Sequence, residues 1–325
     1  MALNLVTGGT GLLGNNLARI LSRAEEPVRV LVRSESDRSP LRGLHVDAVP
    51  GDVRDSDAVA DALRGVDHVF HCAGLVGIGR TRPGGFWSVN ATGTATVARA
   101  CRDLGIRMIH VSSVDTLGFG TQARPADESS PPDSRIVAPY VASKRGAEEA
   151  VLREVDRGLD AVIVNPGFCL GPWDWKPSSG RLLLEVARGR GRIAPPGGND
   201  FCHAVDVARG IAAAAEKGRT GERYILGGEA LSYRAAFQLM AEVTQAKDVL
   251  LTAPAWAVRL GGLLGDARTL FLNHEPDLNS ASAQLACLPH HFSSRKAEAE
   301  LGYTNRGAEP AIRDAWNWFK EHRYR

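Results

Sequence analysis

Apolar runs of strand length alternate with stretches of helical period through the first half of the chain. Asn4–Thr7, Val28–Val32, His68–His71, Ile106–Ser112 and Ala161–Asn165 are the short runs. Between them, Gly11–Arg23, Ala58–Leu63, Phe86–Asp103 and Tyr140–Asp156 place apolar residues at helical spacing, as Val89, Val97 and Ala100 do in the third. Regular strand–helix alternation predicts an α/β fold, a doubly wound parallel sheet. Beyond residue 166 the pattern loosens. Gly167–Gly180 and Gly189–Asp200 read as glycine- and proline-rich loops, Ala204–Lys217 as a helix, and Arg223–Leu226 as a strand returning to the sheet. Two units result: 1–166 with a returning segment at about 201–227, and a smaller lobe from 167–200 and 228–325. A ligand crevice is expected at the carboxyl ends of the strands, between sheet and lobe.

The 325 residues, 44% of them apolar, suffice for a sizeable core. A net charge of +2 offers no broad electrostatic footprint for nucleic acid or an anionic membrane. The five cysteines form no Cys-x-x-Cys pair, which argues against a disulfide scaffold or a metal site. Cys72, Cys169 and Cys202 stand in apolar strings and read as small core residues. The first strand begins almost at Met1, so a cytoplasmic location is the expectation. Val249–Leu272 is apolar but broken by Pro254, Arg259, Asp266 and Arg268, too short a run to span a bilayer. It reads as a lobe helix, with peripheral membrane contact as the second reading of its amphipathic pattern.

Candidate chemistry sharpens the picture at two strings. Thr7-Gly8-Gly9-Thr10-Gly11-Leu12-Leu13-Gly14 lies between the first strand and the first helix, where Gly8, Gly11 and Gly14 permit a tight turn and close approach of a pyrophosphate. Thr10, Leu12 and Leu13 would present backbone N–H groups at the helix start. The fold is thus a Rossmann type, and the ligand a dinucleotide. A NAD-preferring site usually ends its second strand with an acid; here Val32 stands in that place and Arg33 follows, which favours NADP(H) over NAD(H). Asp52 and Val53 are placed to meet the adenine, and Cys72, Ala73 and Gly74 to pass beneath the phosphates and ribose.

The second string, Tyr140-Val141-Ala142-Ser143-Lys144, sets a phenol and an ammonium four residues apart on one helix face. A carbonyl accepting hydride develops charge on oxygen and needs a donor and a proton source. A tyrosine, with a pKa of about 10, can serve if a neighbouring cation lowers it. The serine needed to hold the carbonyl comes from the preceding strand end, Ser113 or Ser112.

Together with His71-Cys72-Ala73-Gly74, Asn90-Ala91-Thr92-Gly93-Thr94, Asn165-Pro166-Gly167 and His203-Ala204-Val205-Asp206-Val207-Ala208, these strings resemble an extended short-chain dehydrogenase/reductase over essentially the whole chain. The second strand and Tyr224–Glu229 resemble the dihydroflavonol-reductase-like branch, which includes hopanoid-associated sugar epimerases. The resemblance implies that Ser113, Tyr140 and Lys144 are catalytic and that Lys144 also holds the nicotinamide ribose. It implies that Asn90 positions the active-site strand or caps its helix, that Asn165 lies near the nicotinamide, and that Gly167 and Phe168 meet the carboxamide. It also implies a homodimer through the helices near 90–103 and 140–156.

Two departures bear on the reaction. Asp115, two residues after Ser113, is where related sugar-nucleotide dehydratases carry an acid; it reads as a second base, a substrate contact or a turn cap. Asn199 stands where sugar-nucleotide epimerases carry an Arg before Asp-Phe-x-His, which counts against a nucleotide sugar unless Arg181 replaces it. Trp173 and Trp175 form an aromatic substrate wall or pack their loop on the lobe. Gly77–Gly85, with Arg80 and Arg82, reads as a mobile edge, and His290-His291 as a surface or lobe contact. The leading reading is an NADP-preferring oxidoreductase acting on a small-molecule ketone, aldehyde or alcohol, with no nucleic-acid partner and no integral membrane segment. The alternatives are a nucleotide-sugar epimerase or dehydratase with tightly held cofactor, and a non-catalytic cofactor-binding protein.

Overall fold

The computed structural model describes residues 2–77, 83–134, 136, 138–269 and 278–324. Strands β1 (Asn4–Thr7), β2 (Val28–Val32), β3 (Asp47–Pro50), β4 (His68–His71), β5 (Arg107–Val111) and β6 (Ala161–Pro166), with the later β10 (Arg223–Leu226), form one sheet in the order β10-β6-β5-β4-β1-β2-β3. Every pairing in it is parallel. Residues alternate across the sheet as the two-residue period requires. Val6, Val162 and Val164 pack beneath α1 (Leu12–Arg23), α7 (Ala204–Lys217) and α11 (Arg295–Leu301), whereas Leu5, Ala161 and Ile163 pack beneath α2 (Ser56–Ala62), α4 (Thr94–Leu104) and α5 (Pro139–Val155). The chain order reverses between β1 and β4, which opens the crevice.

The stretch read as one helix over Phe86–Asp103 is three segments: α3 (Pro83–Phe86), a π-helical stretch Trp87–Gly93, and α4. The wider turn shifts the helical register, and π-helical turns often mark functional positions. It faces inward at Asn90, whose amide accepts from the Leu75 N–H (2.7 Å) and donates to the Leu75 carbonyl (3.0 Å) and Ser143 Oγ (2.9 Å).

The lobe departs from the sequence reading in the two segments taken as loops. They contain β7 (Phe168–Leu170), β8 (Ile193–Ala194) and β9 (Gly198–His203). β9 pairs with β7 and with β11 (Glu229–Ser232), while β8 pairs with β12 (Leu251–Thr252). These strands exist through partners remote in sequence. Because β9 runs through His203, the return to the main domain begins with α7. A third core forms among the small sheet, α6 (Gly180–Ala187), α8 (Tyr233–Thr244) and α12 (Ala308–Glu321). The remaining helices are α9 (Ala255–Thr269) and α10 (Ser280–Ala286), and no described helix is long and apolar enough to cross a membrane.

Candidate active site

A cavity of about 450 Å³ runs along the carboxyl ends of β1, β4, β5 and β6. Its phosphate end is built by glycine. Gly8 has φ +70°, and a Cβ there would stand 2.6 Å from the Ala73 nitrogen; one on Gly14 would strike the Gly8 carbonyl. No side chain caps the amino end of α1 at Gly11, so its first N–H groups are free to meet an anion. Asn15 Nδ2 braces the turn by donating to the Gly9 carbonyl (3.0 Å) and the Pro40 carbonyl (2.9 Å). A cradle that any Cβ would fill, facing an uncapped helix start, fits a pyrophosphate. Gly8, Thr10, Gly11, Leu12 and Leu13 all line it.

Beside β2 and β3 the wall includes Arg33, Asp52, Val53 and two residues the sequence reading passed over, Ser36 and Lys176. Arg33 is half exposed, with Nε 3.5 Å from Glu35 Oε1. Asp52 is occupied by Arg54 (2.7 Å), and that hydrogen bond holds its carboxyl below the ordinary range.

The other end gathers Cys72, Ala73, Gly74, Ser112, Ser113, Tyr140, Lys144 and Gly167. Ser113 follows β5 and caps a short 3₁₀ turn, its Oγ accepting from the Asp115 N–H at 3.2 Å. Pro139 opens α5, so Tyr140 sits in the first turn and Lys144 one turn on. Burial pushes the Tyr140 phenol above its ordinary value, the Asp115 carboxylate adds to the rise, and a hydrogen bond with Ser113 opposes it. The sequence reading has Lys144 and the cationic nicotinamide lower it together; Lys144 is not among the groups that shift it here. Lys144 Nζ donates instead to the Val111 carbonyl (2.8 Å), and burial brings its own pKa down to about 8. A Cβ on Gly74 would stand 3.6 Å from Lys144 Nζ, so glycine keeps the space beside the ammonium open.

Several residues assigned from the resemblance stand elsewhere. Asn90 and Asn165 do not line the cavity. Asn90 clamps Leu75 as described, and Asn165 is fully buried below the floor, where its Nδ2 donates to the Ser113 carbonyl (3.0 Å) and Glu148 Oε1 (2.8 Å). Phe168, whose backbone was the part expected to meet the carboxamide, packs its ring on Phe201, with centroids 5.2 Å apart. Trp173 and Trp175 form no wall of this cavity. They pack on Trp318 and His322 of the carboxyl-terminal helix region, and the intervening Asp174 lines the cavity in their place. Burial raises Asp174 to about 6. Arg181 is exposed at the start of α6, outside the cavity wall. Arg80 and Arg82 lie outside the described residues.

One residue of the support escaped the sequence reading, and one was placed too loosely. Glu148 is buried four positions after Lys144 on α5, and its Oε1 accepts from Ser112 Oγ (2.5 Å), Thr116 Oγ1 (2.8 Å) and Asn165, while Oε2 takes Arg223 Nε (2.8 Å). An acid on the inward face of α5 was the available signal. His290 is no surface residue. It is buried against Phe119, 4.5 Å between ring centroids, with Nε2 3.9 Å from Asp115 Oδ1. Burial lowers its pKa, against the pull of Asp115.

Residues 4–227 match the NAD dependent epimerase/dehydratase family. A Methylococcus capsulatus protein named sterol demethylase protein B is 35% identical over 321 residues, 98% of this chain and 98% of its own. A Stigmatella aurantiaca protein named 4-hydroxy-2-methyl-3-oxo-4-farnesyl-3,4-dihydroquinoline-1-oxide ketoreductase is 32% identical over 312 residues, 93% of this chain and 91% of its own. Among solved structures, that of gox2253 superposes with a TM-score of 0.88 at 34% identity, covering 99% of both chains.

Proposed function

Given that the chain belongs to the NAD dependent epimerase/dehydratase family, as an NAD(P)-dependent enzyme of the extended short-chain dehydrogenase/reductase type, we propose that it interconverts a ketone and an alcohol on an apolar small molecule, with NADP(H) preferred. The observation that carries this reading is the convergence of Ser113, Tyr140 and Lys144 at the end of the cavity opposite the wall beside β2 and β3. The bound dinucleotide supplies or takes up the hydride. Ser113 Oγ and the Tyr140 phenol hold the substrate oxygen, and Tyr140 gives up its proton as charge grows there. Lys144, beside Gly74, binds the ribose hydroxyls. Ser113, Tyr140, Lys144 and Gly167 are the residues assigned to the reacting end, and Gly8 to Leu13 to the phosphates.

NADP(H) preference rests on Arg33, Ser36 and Lys176, which together offer two cations and a hydroxyl where a 2′-phosphate would lie. An apolar ketone is in keeping with the relatives' names, one a sterol demethylase protein and one a farnesyl-quinoline ketoreductase. The place of the epimerases' arginine is held by Asn199, whose Nδ2 donates to the Tyr233 phenol (3.2 Å). A homodimer through α4 and α5 is supported by Trp87 and Leu104, large apolar side chains exposed on that side. One observation favours the epimerase or dehydratase reading: Asp115, backed by His290, stands beyond Ser113 as a candidate second base.

Fluorescence titration with NADPH and NADH on wild type, Arg33→Ala and Tyr140→Phe, followed by a carbonyl-substrate screen, tests the proposal. Arg33→Ala should weaken NADPH at least about tenfold and leave NADH unchanged. Tyr140→Phe should retain binding and lose turnover by about 10²–10⁴. Nicotinamide that co-purifies, does not exchange and shows no net turnover would transfer the assignment to the epimerase reading.

A further inference from the structure

Helix α9 reverses the usual order of an amphipathic helix. Trp256, Leu260, Leu263 and Leu264 recur at i, i+4, i+7 and i+8 and so share one face. That face is the outer one, with Trp256 69% and Leu263 60% exposed. The opposite face, Val258, Gly262 and Gly265, is buried. It lies against α10 and the residues leading into it: a Cβ on Gly262 would stand 2.7 Å from Ala283 Cβ, and one on Gly265 would strike the Leu278 carbonyl. Glycine is a poor helix former, and here it permits an approach that no larger residue would. Turning the helix to bury its leucines would drive them into that contact. The outward set of the apolar face is therefore fixed by packing.

Charge and area narrow what covers it. Arg259 and Arg268 are exposed on either side of the apolar stripe. The one acid of the helix, Asp266, is turned to α10, where Oδ1 accepts from the Ser280 N–H at 3.1 Å. Ile193 and Leu251, register partners on β8 and β12, extend the exposed apolar surface just before α9 begins. A tryptophan at one end, leucines along the middle and arginines on the flanks suit a helix lying in a lipid–water interface. The stripe from Trp256 to Leu264 is roughly 12 Å long by 10 Å wide, about 120 Å² in footprint, well short of the roughly 800 Å² per partner that a stable protein contact buries. Beneath it, Ala281 and Leu285 of α10 cluster with Tyr140 and Val141, so one helix separates this face from the catalytic phenol.

We propose that the outer face of α9, with Ile193 and Leu251, seats the enzyme on a lipid–water interface, so that an apolar carbonyl substrate reaches the site from the bilayer. The second clause rests on the proposed function; the first does not. Flotation of the full chain with phosphatidylcholine vesicles, with and without phosphatidylglycerol, tests it without turnover. Wild type should float with both, and more with phosphatidylglycerol. Leu260→Glu combined with Leu263→Glu should lower partition at least about tenfold. Arg259→Ala with Arg268→Ala should lose only the gain from anionic lipid. NADPH affinity, unchanged in both variants, reports that the fold is intact. Wild type left behind by both kinds of vesicle, or floating no better than the glutamate variant, overturns the proposal. In that case a fall in oligomeric order in the glutamate variant on size exclusion would give the face to a second copy of the chain.

Discussion

The two walls of the crevice bury different materials. Under the cofactor half lies a connected polar floor: Ser112, Thr116, Asn165 and Arg223 all converge on the Glu148 carboxylate. On the lobe side the corresponding layer is aromatic, with Trp173, Trp175, Trp318 and His322 in mutual contact. Hydrogen bonds fix direction as well as distance, so the polar floor holds Ser113 and its strand end in one arrangement. Aromatic packing is less directional and tolerates a change of shape. The residues assigned to the reacting end thus rest on the directional layer, and the loop that brings Asp174 into the cavity rests on the adaptable one.

The largest break in this contrast should come at Glu148. Glu148→Ala leaves Arg223 without its carboxylate and Ser112 without its acceptor, while Thr116 and Asn165 keep the Ser113 carbonyl; the loss should be about 3 kcal/mol, or roughly 4–5 °C in Tm. Thermal unfolding measures this. Glu148→Gln keeps the volume and one acceptor oxygen and should recover part of it. If Glu148→Ala melts with wild type, the floor is not the rigid element and the contrast fails.

The aromatic wall should respond differently. Trp173 holds φ +70°, a left-handed conformation unfavourable for a bulky residue. Its ring contacts sustain it, including the Arg19 guanidinium 3.3 Å above the ring centroid. Trp173→Ala should cost about 2 kcal/mol in stability with kcat, KM and NADPH affinity close to wild type. A tenfold rise in KM with unchanged Tm would restore the tryptophan to the substrate wall and place chemistry on the lobe side.

The same contrast explains what the sequence disclosed. The doubly wound half is legible because its apolar strands alternate regularly with helices along the chain, and because Gly8, Gly14, Tyr140 and Lys144 act within single local motifs. The lobe is not, since β7, β8 and β9 exist through pairing with segments far along the chain. Asn165 was legible as a site residue but not as a support, because spacing along a chain does not say on which side of a strand end an amide will find its acceptor. Glu148 was missed for a related reason: an acid beside Glu149, one turn after Lys144 and Arg145, reads as surface until its four partners are seen.

The smallest effect is also the most diagnostic of the polar interior. His71 lies between Thr7 Oγ1 (2.8 Å) and Thr94 Oγ1 (2.9 Å), with its ring 5.6 Å from that of His110. Burial, with the nearby Lys144 ammonium, lowers its pKa to about 3, and His110 is lowered in the same direction for the same reasons. The folded pKa lies below that of the unfolded chain, near 6.5, so between these values the unfolded state binds the extra proton. Stability is therefore full above pH 6.5 and falls as pH drops, by up to about 1.4 kcal/mol per unit for each such histidine. Thermal melts between pH 7 and 5, a range above most carboxylate titrations, should show that slope in wild type and a shallower one in His71→Asn. Parallel slopes would mean that the ring is already solvated or protonated in the native state, and that this part of the interior is less closed than the floor at Glu148.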